Sequence, residues 1–179
     1  MFGRRPKKPP ANARPALERN ERVLAWARTA ADPNQAVVVT TLGLWLPGRP
    51  ERLGWHQIHR ATWSGSRLTV VPSRPIGDGV GSEGSAYTVM ADDTAVDVML
   101  SDPEDVPATV RQRVTRSVAY TAHHPLPVGG VRVVARRVAG VNGVTWHVRY
   151  DDGTDAFDPD VVAVTAELIG QAAAPMRPE

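Results

Sequence analysis

The chain has 179 residues, 42% of them hydrophobic, which is enough to bury one core and sets a single domain as the expectation. It has no cysteine, which excludes disulfide staples, thiolate metal sites and a cysteine nucleophile, and suits a reducing compartment, so a cytoplasmic protein is expected. The formal net charge is +2; no stretch reaches the roughly 18 uninterrupted apolar residues of a membrane span, and the first fifteen residues lack the apolar run of about 7 that a secretory signal needs.

Charge is unevenly placed. Arg4, Arg5, Lys7, Lys8 and Arg14 put five cations in the first fourteen residues, whereas the other 165 residues carry 16 basic and 19 acidic side chains, a formal −3. Of the 21 basic residues 19 are arginine, the skew of a GC-rich, actinobacterial-type coding bias. With four prolines and few apolar side chains, residues 1–20 cannot offset the entropy of ordering them and are expected to be disordered.

Structure is expected from Glu21 onward. Residues 22–28 and 36–46, separated by the turn signal Asp32-Pro33-Asn34, read as a hairpin ended by Pro47-Gly48. Residues 55–63 break strict alternation at Ile58, Ala61 and Trp63, which predicts a bulge or two short strands. After Ser64-Gly65-Ser66 a strand holds Leu68, Val70 and Val71. Residues 72–85, with two prolines and four glycines, read as a long surface loop. Residues 87–90 and 94–100 read as a further hairpin turning at Asp92-Asp93.

The first helix is expected over 106–122. Val106, Val110, Val114, Val118 and Ala122 recur every four residues as one apolar stripe, Pro107 suits the first turn and Pro125 and Pro127 end it. Residues 131–136 and 144–150 then alternate around Asn142-Gly143, a strong short hairpin signal. A last helix is announced by Asp158 as N-cap and Pro159 at its first position, with an expected buried stripe of Val161, Val164, Leu168, Ile169 and Ala172. Residues 173–179 are expected to fray.

Within this order four short patterns stand out: Glu21-Arg22-Val23-Leu24, Thr40-Thr41-Leu42-Gly43-Leu44, Trp55-His56-Gln57-Ile58 and Leu68-Thr69-Val70. On them residues 21–122 resemble the bacterial pleckstrin-homology-like domains. The resemblance implies an α+β, mainly antiparallel fold: a partly open barrel of two packed sheets capped by a helix, serving as a binding or scaffold module without a catalytic site. The expected organisation is therefore one domain over 21–172, with a PH-like core at 21–122 and a β-hairpin and helix at 129–172 as an extension. The chain departs from phosphoinositide-binding members, whose first hairpin loop is rich in Lys and Arg, because residues 29–35 hold no basic side chain and include Asp32.

His56 and His59 stand three apart, and on a strand such residues face opposite sides, so a metal site would need a helix, a bulge, or convergence with His123 and His124. Asp151, Asp152, Asp155, Asp158 and Asp160 invite a calcium reading, but the glycine and glutamate an EF-hand loop requires are missing. Gly77-Asp78-Gly79-Val80-Gly81 is not a phosphate-loop pattern, and no Gly-x-Ser-x-Gly elbow occurs. No catalytic, cofactor or metal residue is assigned. The expected function is a non-catalytic protein-interaction or scaffold module using a sheet edge or the barrel end. The alternative is an accessory nucleic-acid or anionic-membrane binder using Arg4, Arg5, Lys7, Lys8 and Arg14, with a small-molecule or metal-dependent enzyme behind both.

Overall fold

The computed structural model describes residues 8–176 and is α+β: mainly antiparallel sheets, one curled into a half-barrel, with two α-helices. Among the described residues no helix is long and apolar enough to cross a membrane. The chain divides into two compact units, one comprising residues 1–72 and 94–116 and the other residues 73–93 and 117–179.

In the first unit β1 (Val23–Arg28), β2 (Ala36–Thr40), β3 (Gly43–Trp45) and β4 (Leu53–Gly54) form an antiparallel sheet in chain order. The hairpin expected over 22–46 is present as β1 and β2, but its second arm folds again at Thr41-Leu42, so β2 and β3 are separate strands. A single 3₁₀ turn (Trp55–Gln57) then leads into β5 (Ile58–Ser64), whose register shifts between Ile58 and Arg60, as the broken alternation predicts. β5 pairs with the first half of β6 (Arg67–Val80), and β8 (Val96–Met99) pairs with the same half. Val37, Val39, Leu44, Ile58, Leu68, Val70 and Leu100 fill the core, and α1 (Val106–Ser117) covers it with Val106 and Val110, both fully buried, and Val114.

The second unit is built on the rest of β6, from Ser73 onward, which pairs with β7 (Ala86–Asp92). β7 also pairs in parallel with β11 (Thr145–Tyr150), which pairs with β10 (Gly130–Arg136), which pairs with β9 (Val118–Pro125). The β10–β11 hairpin expected around Asn142-Gly143 is therefore present. Tyr87, Val131, Val133, Trp146 and Val148 form the core together with Ile169 and Ala173 of α2 (Pro159–Ala173).

Several expectations are corrected. Residues 72–80 are strand, and the turn is confined to 81–85, closed by a Gly81 N–H to Ser85 O bond of 2.8 Å. The glycines are there for close approach: a Cβ on Gly79 would collide with the Tyr87 ring, and one on Gly81 would lie 2.7 Å from Ile169 Cγ2. Pro75 is accommodated at a register shift between Pro75 and Gly77. Residues 87–90 and 94–100 do not pair with each other, because β6 is long enough to pair with both in turn. The first helix stops at Ser117, and Val118 and Ala122 belong to β9 opposite Arg136 and Val133; the β-branched and aromatic run Val118 to Thr121 joins the sheet instead.

The expected stripe of α2 is met by Ile169, which is buried, and by Leu168 and Ala172, which pack against the core, but not by Val164. The buried residues of the helix are Thr165, Ile169, Gly170 and Ala173, while Val164 is 44% exposed. Small side chains let the helix approach closely: Gly170 lies against the Ser82 hydroxyl, and Thr165 Oγ1 donates to Val161 O at 2.8 Å while sharing a 2.8 Å hydrogen bond with the Tyr150 hydroxyl. Of the residues expected to fray, Ala173 ends α2 and Ala174–Met176 form a 3₁₀ turn, while residues 177–179 lie outside the described residues.

Replacing Gly79 by Val is expected to lower stability by about 1–3 kcal/mol through overpacking against Tyr87. The loss should shrink in a Tyr87→Leu background, a coupling measured by a double-mutant cycle in urea unfolding; an additive result would show that the ring is not what requires glycine.

Candidate functional site: a groove beside an open sheet edge

The cationic tail is only partly within the described residues. Arg4, Arg5 and Lys7 lie outside them; Lys8 and Arg14 are exposed, and the Arg14 guanidinium donates to Pro9 O at 3.1 Å. Farther along, the Asn12 amide donates to Asn34 Oδ1 at 2.7 Å and Glu18 binds Arg52 at 2.7 Å, so residues 8–20 run along the first unit.

The histidines fall into two groups. His56 and His59 sit in the first unit, on the 3₁₀ turn and on β5, and His123 and His124 sit in the second, on β9 rather than at a helix end. His123 Nε2 lies 2.8 Å from Asp151 Oδ2. Among the described residues no group of three or more His, Cys, Asp or Glu side chains is placed to hold a metal ion. The aspartates of 151–160 have local roles: Asp155 accepts from the Phe157 N–H at 2.9 Å, and Asp158 caps α2 by accepting from the N–H groups of Asp160 and Val161.

The first three patterns of the sequence resemblance meet at one buried carboxylate. Glu21, whose side chain is fully buried, accepts from Thr40 Oγ1 at 2.6 Å, from Trp45 Nε1 at 2.9 Å and from Arg52 Nη1 at 2.8 Å. Thr40 is held in turn: its hydroxyl accepts from the Gly43 N–H at 3.1 Å, and its carbonyl accepts from Trp55 Nε1 at 3.2 Å. Gly43 is required at this crossing, because a Cβ there would strike Leu53 O. Burial opposes ionisation of Glu21, yet the hydrogen bonds from Thr40, Trp45 and the Glu18 N–H, with the charge of Arg52, together hold its carboxyl below the ordinary value of 4.5. This cluster is architectural: it ties residues 18, 40, 45 and 52 together and leaves no reactive group free.

The surface able to receive a partner lies elsewhere in the same unit. Among the described residues the strand paired with β5 is β6, and over Arg60 to Ser64 no other strand pairs with it. Along β5 the side chains alternate, with Arg60, Thr62 and Ser64 exposed and Ala61 and Trp63 half-buried against the core. A groove of about 500 Å³ runs between this strand and α1, with Ala61, Trp63, Leu68 and Val110 as its apolar surface and Pro107, Ala108 and Arg111 on the helix side. Among the described residues Arg111 is the only charged one lining it. An open edge beside an apolar trough suits an added extended segment, whose backbone bonds the strand while alternate side chains enter the trough. Such a site has no residue motif. Its only trace in the sequence is the alternation of polar residues with Ala61 and Trp63.

Glu21→Gln is expected to lower stability by about 2 kcal/mol at pH 7, since it removes a charge-assisted bond to Arg52 and leaves buried donors short of an acceptor. A carboxyl whose folded value is depressed contributes stability that is present above about pH 4.5 and is lost as pH falls through the folded value. Urea midpoints of wild type should therefore fall more steeply below pH 4.5 than those of the variant; parallel slopes would assign acid sensitivity to other carboxylates. Comparison of the chain with protein families, with curated proteins and with solved structures returns no match.

Proposed function

We propose that the chain is a non-catalytic protein-interaction module whose first unit, a pleckstrin-homology-like domain, takes an extended segment of a partner protein along the Arg60–Ser64 part of β5. The observation that carries this reading is that β5, the terminal strand in the order of its sheet, borders the groove beside α1 through Ala61, Thr62 and Trp63. The order of elements supports the PH-like part: a four-stranded antiparallel meander, a three-stranded set formed by β5, the first half of β6, and β8, and then a helix laid on the shared core. So does the meeting of Glu21, Thr40, Gly43 and Trp55, which belong to three of the four matching patterns, in one hydrogen-bonded cluster.

The chemistry of the groove defines the ligand class. Trp63, Leu68 and Val110 offer an apolar floor, and Arg111 offers a cation at its rim. A segment with an apolar side chain flanked by Asp, Glu or a terminal carboxylate fits both.

Selection of a displayed library of unstructured peptides on the full-length protein is expected to enrich sequences with an acidic residue beside an apolar one. Ala108 and Arg111 are exposed on α1, so Ala108→Arg and Arg111→Glu should leave the melting temperature unchanged. The first should abolish binding by filling the groove, and the second should weaken it tenfold or more. Enriched peptides that bind both variants as they bind wild type, or no enrichment at all, would overturn the proposal.

A further inference from the structure

α2 carries more apolar surface than its own unit covers. Thr165, Ile169 and Ala173 face the core, yet Val164 is 44% exposed and Val162 38% exposed. Across from Val161 and Val164 stands the turn that joins β9 to β10, where Val128 is 66% exposed and Leu126 reaches down to the core. Between turn and helix lies a groove of about 380 Å³.

Both walls of this groove are pinned. The Leu126 N–H bonds Gly129 O at 3.1 Å to close the turn, and the hydroxyl of Thr154 donates to Val128 O at 3.1 Å and accepts from the Gly130 N–H at 3.2 Å. Gly129 has a φ of +70° and leaves the space that the Thr154 side chain occupies. Asp158 fixes the start of α2 as its N-cap. The apolar floor is therefore held open by hydrogen bonds that do not depend on a ligand.

Its rim has a single sign. Asp155, Asp158 and Asp160 line the groove, and among the described residues no basic one does. A metal ion does not account for the arrangement: one oxygen each of Asp155 and Asp158 is engaged by backbone N–H groups, and among the described residues no metal-holding group of three or more ligands exists. An apolar floor with a carboxylate rim matches a segment that is apolar on one face and carries Lys or Arg beside it.

We propose that this groove is a second docking surface, on the second unit, for a basic amphipathic segment of a partner protein. It is independent of the β5 edge, and differs from it in chemistry: the β5 groove has a cationic rim and this one an anionic rim.

Fluorescence anisotropy with a labelled fourteen-residue Leu/Lys helical peptide and its Leu/Glu counterpart, on the full-length chain, tests the assignment. The Leu/Lys peptide is expected to bind and the Leu/Glu peptide not to. Val164→Ser removes apolar contact alone and Asp160→Asn removes charge alone, both at exposed positions; each should raise Kd threefold or more. Arg111→Glu, in the other groove, should leave Kd unchanged, which separates this proposal from the previous one. Equal binding of both peptides, indifference to Val164→Ser, or loss of binding on reversing Asp102 and Asp105 of the first unit would overturn it. Sedimentation showing a dimer of the free chain that Val164→Ser dissociates would overturn it as well, by giving the groove to a second copy.

Discussion

The fourteen residues of β6 draw backbone partners from three different strands: β5 and β8 beside its first half, β7 beside its second. The residue content of the strand follows from this. From Leu68 to Val70, where it lies between two strands, the residues are Leu, Thr and Val, with Leu68 and Val70 fully buried. From Ser73 to Val80, where among the described residues it pairs with β7 alone, Pro75 is tolerated at a register shift and glycines take the positions approached by Tyr87 and Phe157. One strand thus reads as two kinds of sequence because it has two kinds of neighbour.

The carboxylate of Glu21 is the counterpart of that constraint among β2, β3 and the chain before β4. A buried ion pair is weak evidence of stability, since desolvation offsets much of the attraction. Its weight here lies in what it selects. The Glu21 oxygens accept from an indole, a hydroxyl and a guanidinium that belong to β3, β2 and the chain just before β4, so a slip of any of these segments would leave a buried group unpaired. The cluster fixes register, and the apolar core of Val37, Val39 and Leu44 supplies the bulk of the cohesion.

What was legible in the sequence was whatever rests on local pattern. The β1–β2 and β10–β11 hairpins, the irregularity before β5 and the Asp158 cap are all set by residues within a few positions of one another. The misreadings share the opposite origin. Gly77, Gly79 and Gly81 look like loop until Phe157, Tyr87 and Ile169 are brought to them from afar. Val118 and Ala122 keep helical spacing, but their fate was decided by β10, which offered a strand to pair with. Val164 of α2 faces outward because Thr165, bonded to Tyr150, and Gly170, against Ser82 of the 81–85 turn, take the close positions. As for the candidate surfaces, a free strand edge and a trough between elements are properties of what is absent next to a residue, and no residue type encodes that.

The first unit is interrupted: residues 73–93 leave it and the chain returns at Thr94 to supply β8 and α1. On a ribosome this order has a temporal meaning. The first unit has all its parts once Arg116 has emerged, but Tyr87 to Val89 then still await Trp146 to Val148, roughly 60 residues later, as their parallel neighbours. For that interval β7 presents a bare flank rich in β-formers, and the nascent chain is at its most vulnerable to mispairing between the birth of its first unit and the arrival of β11.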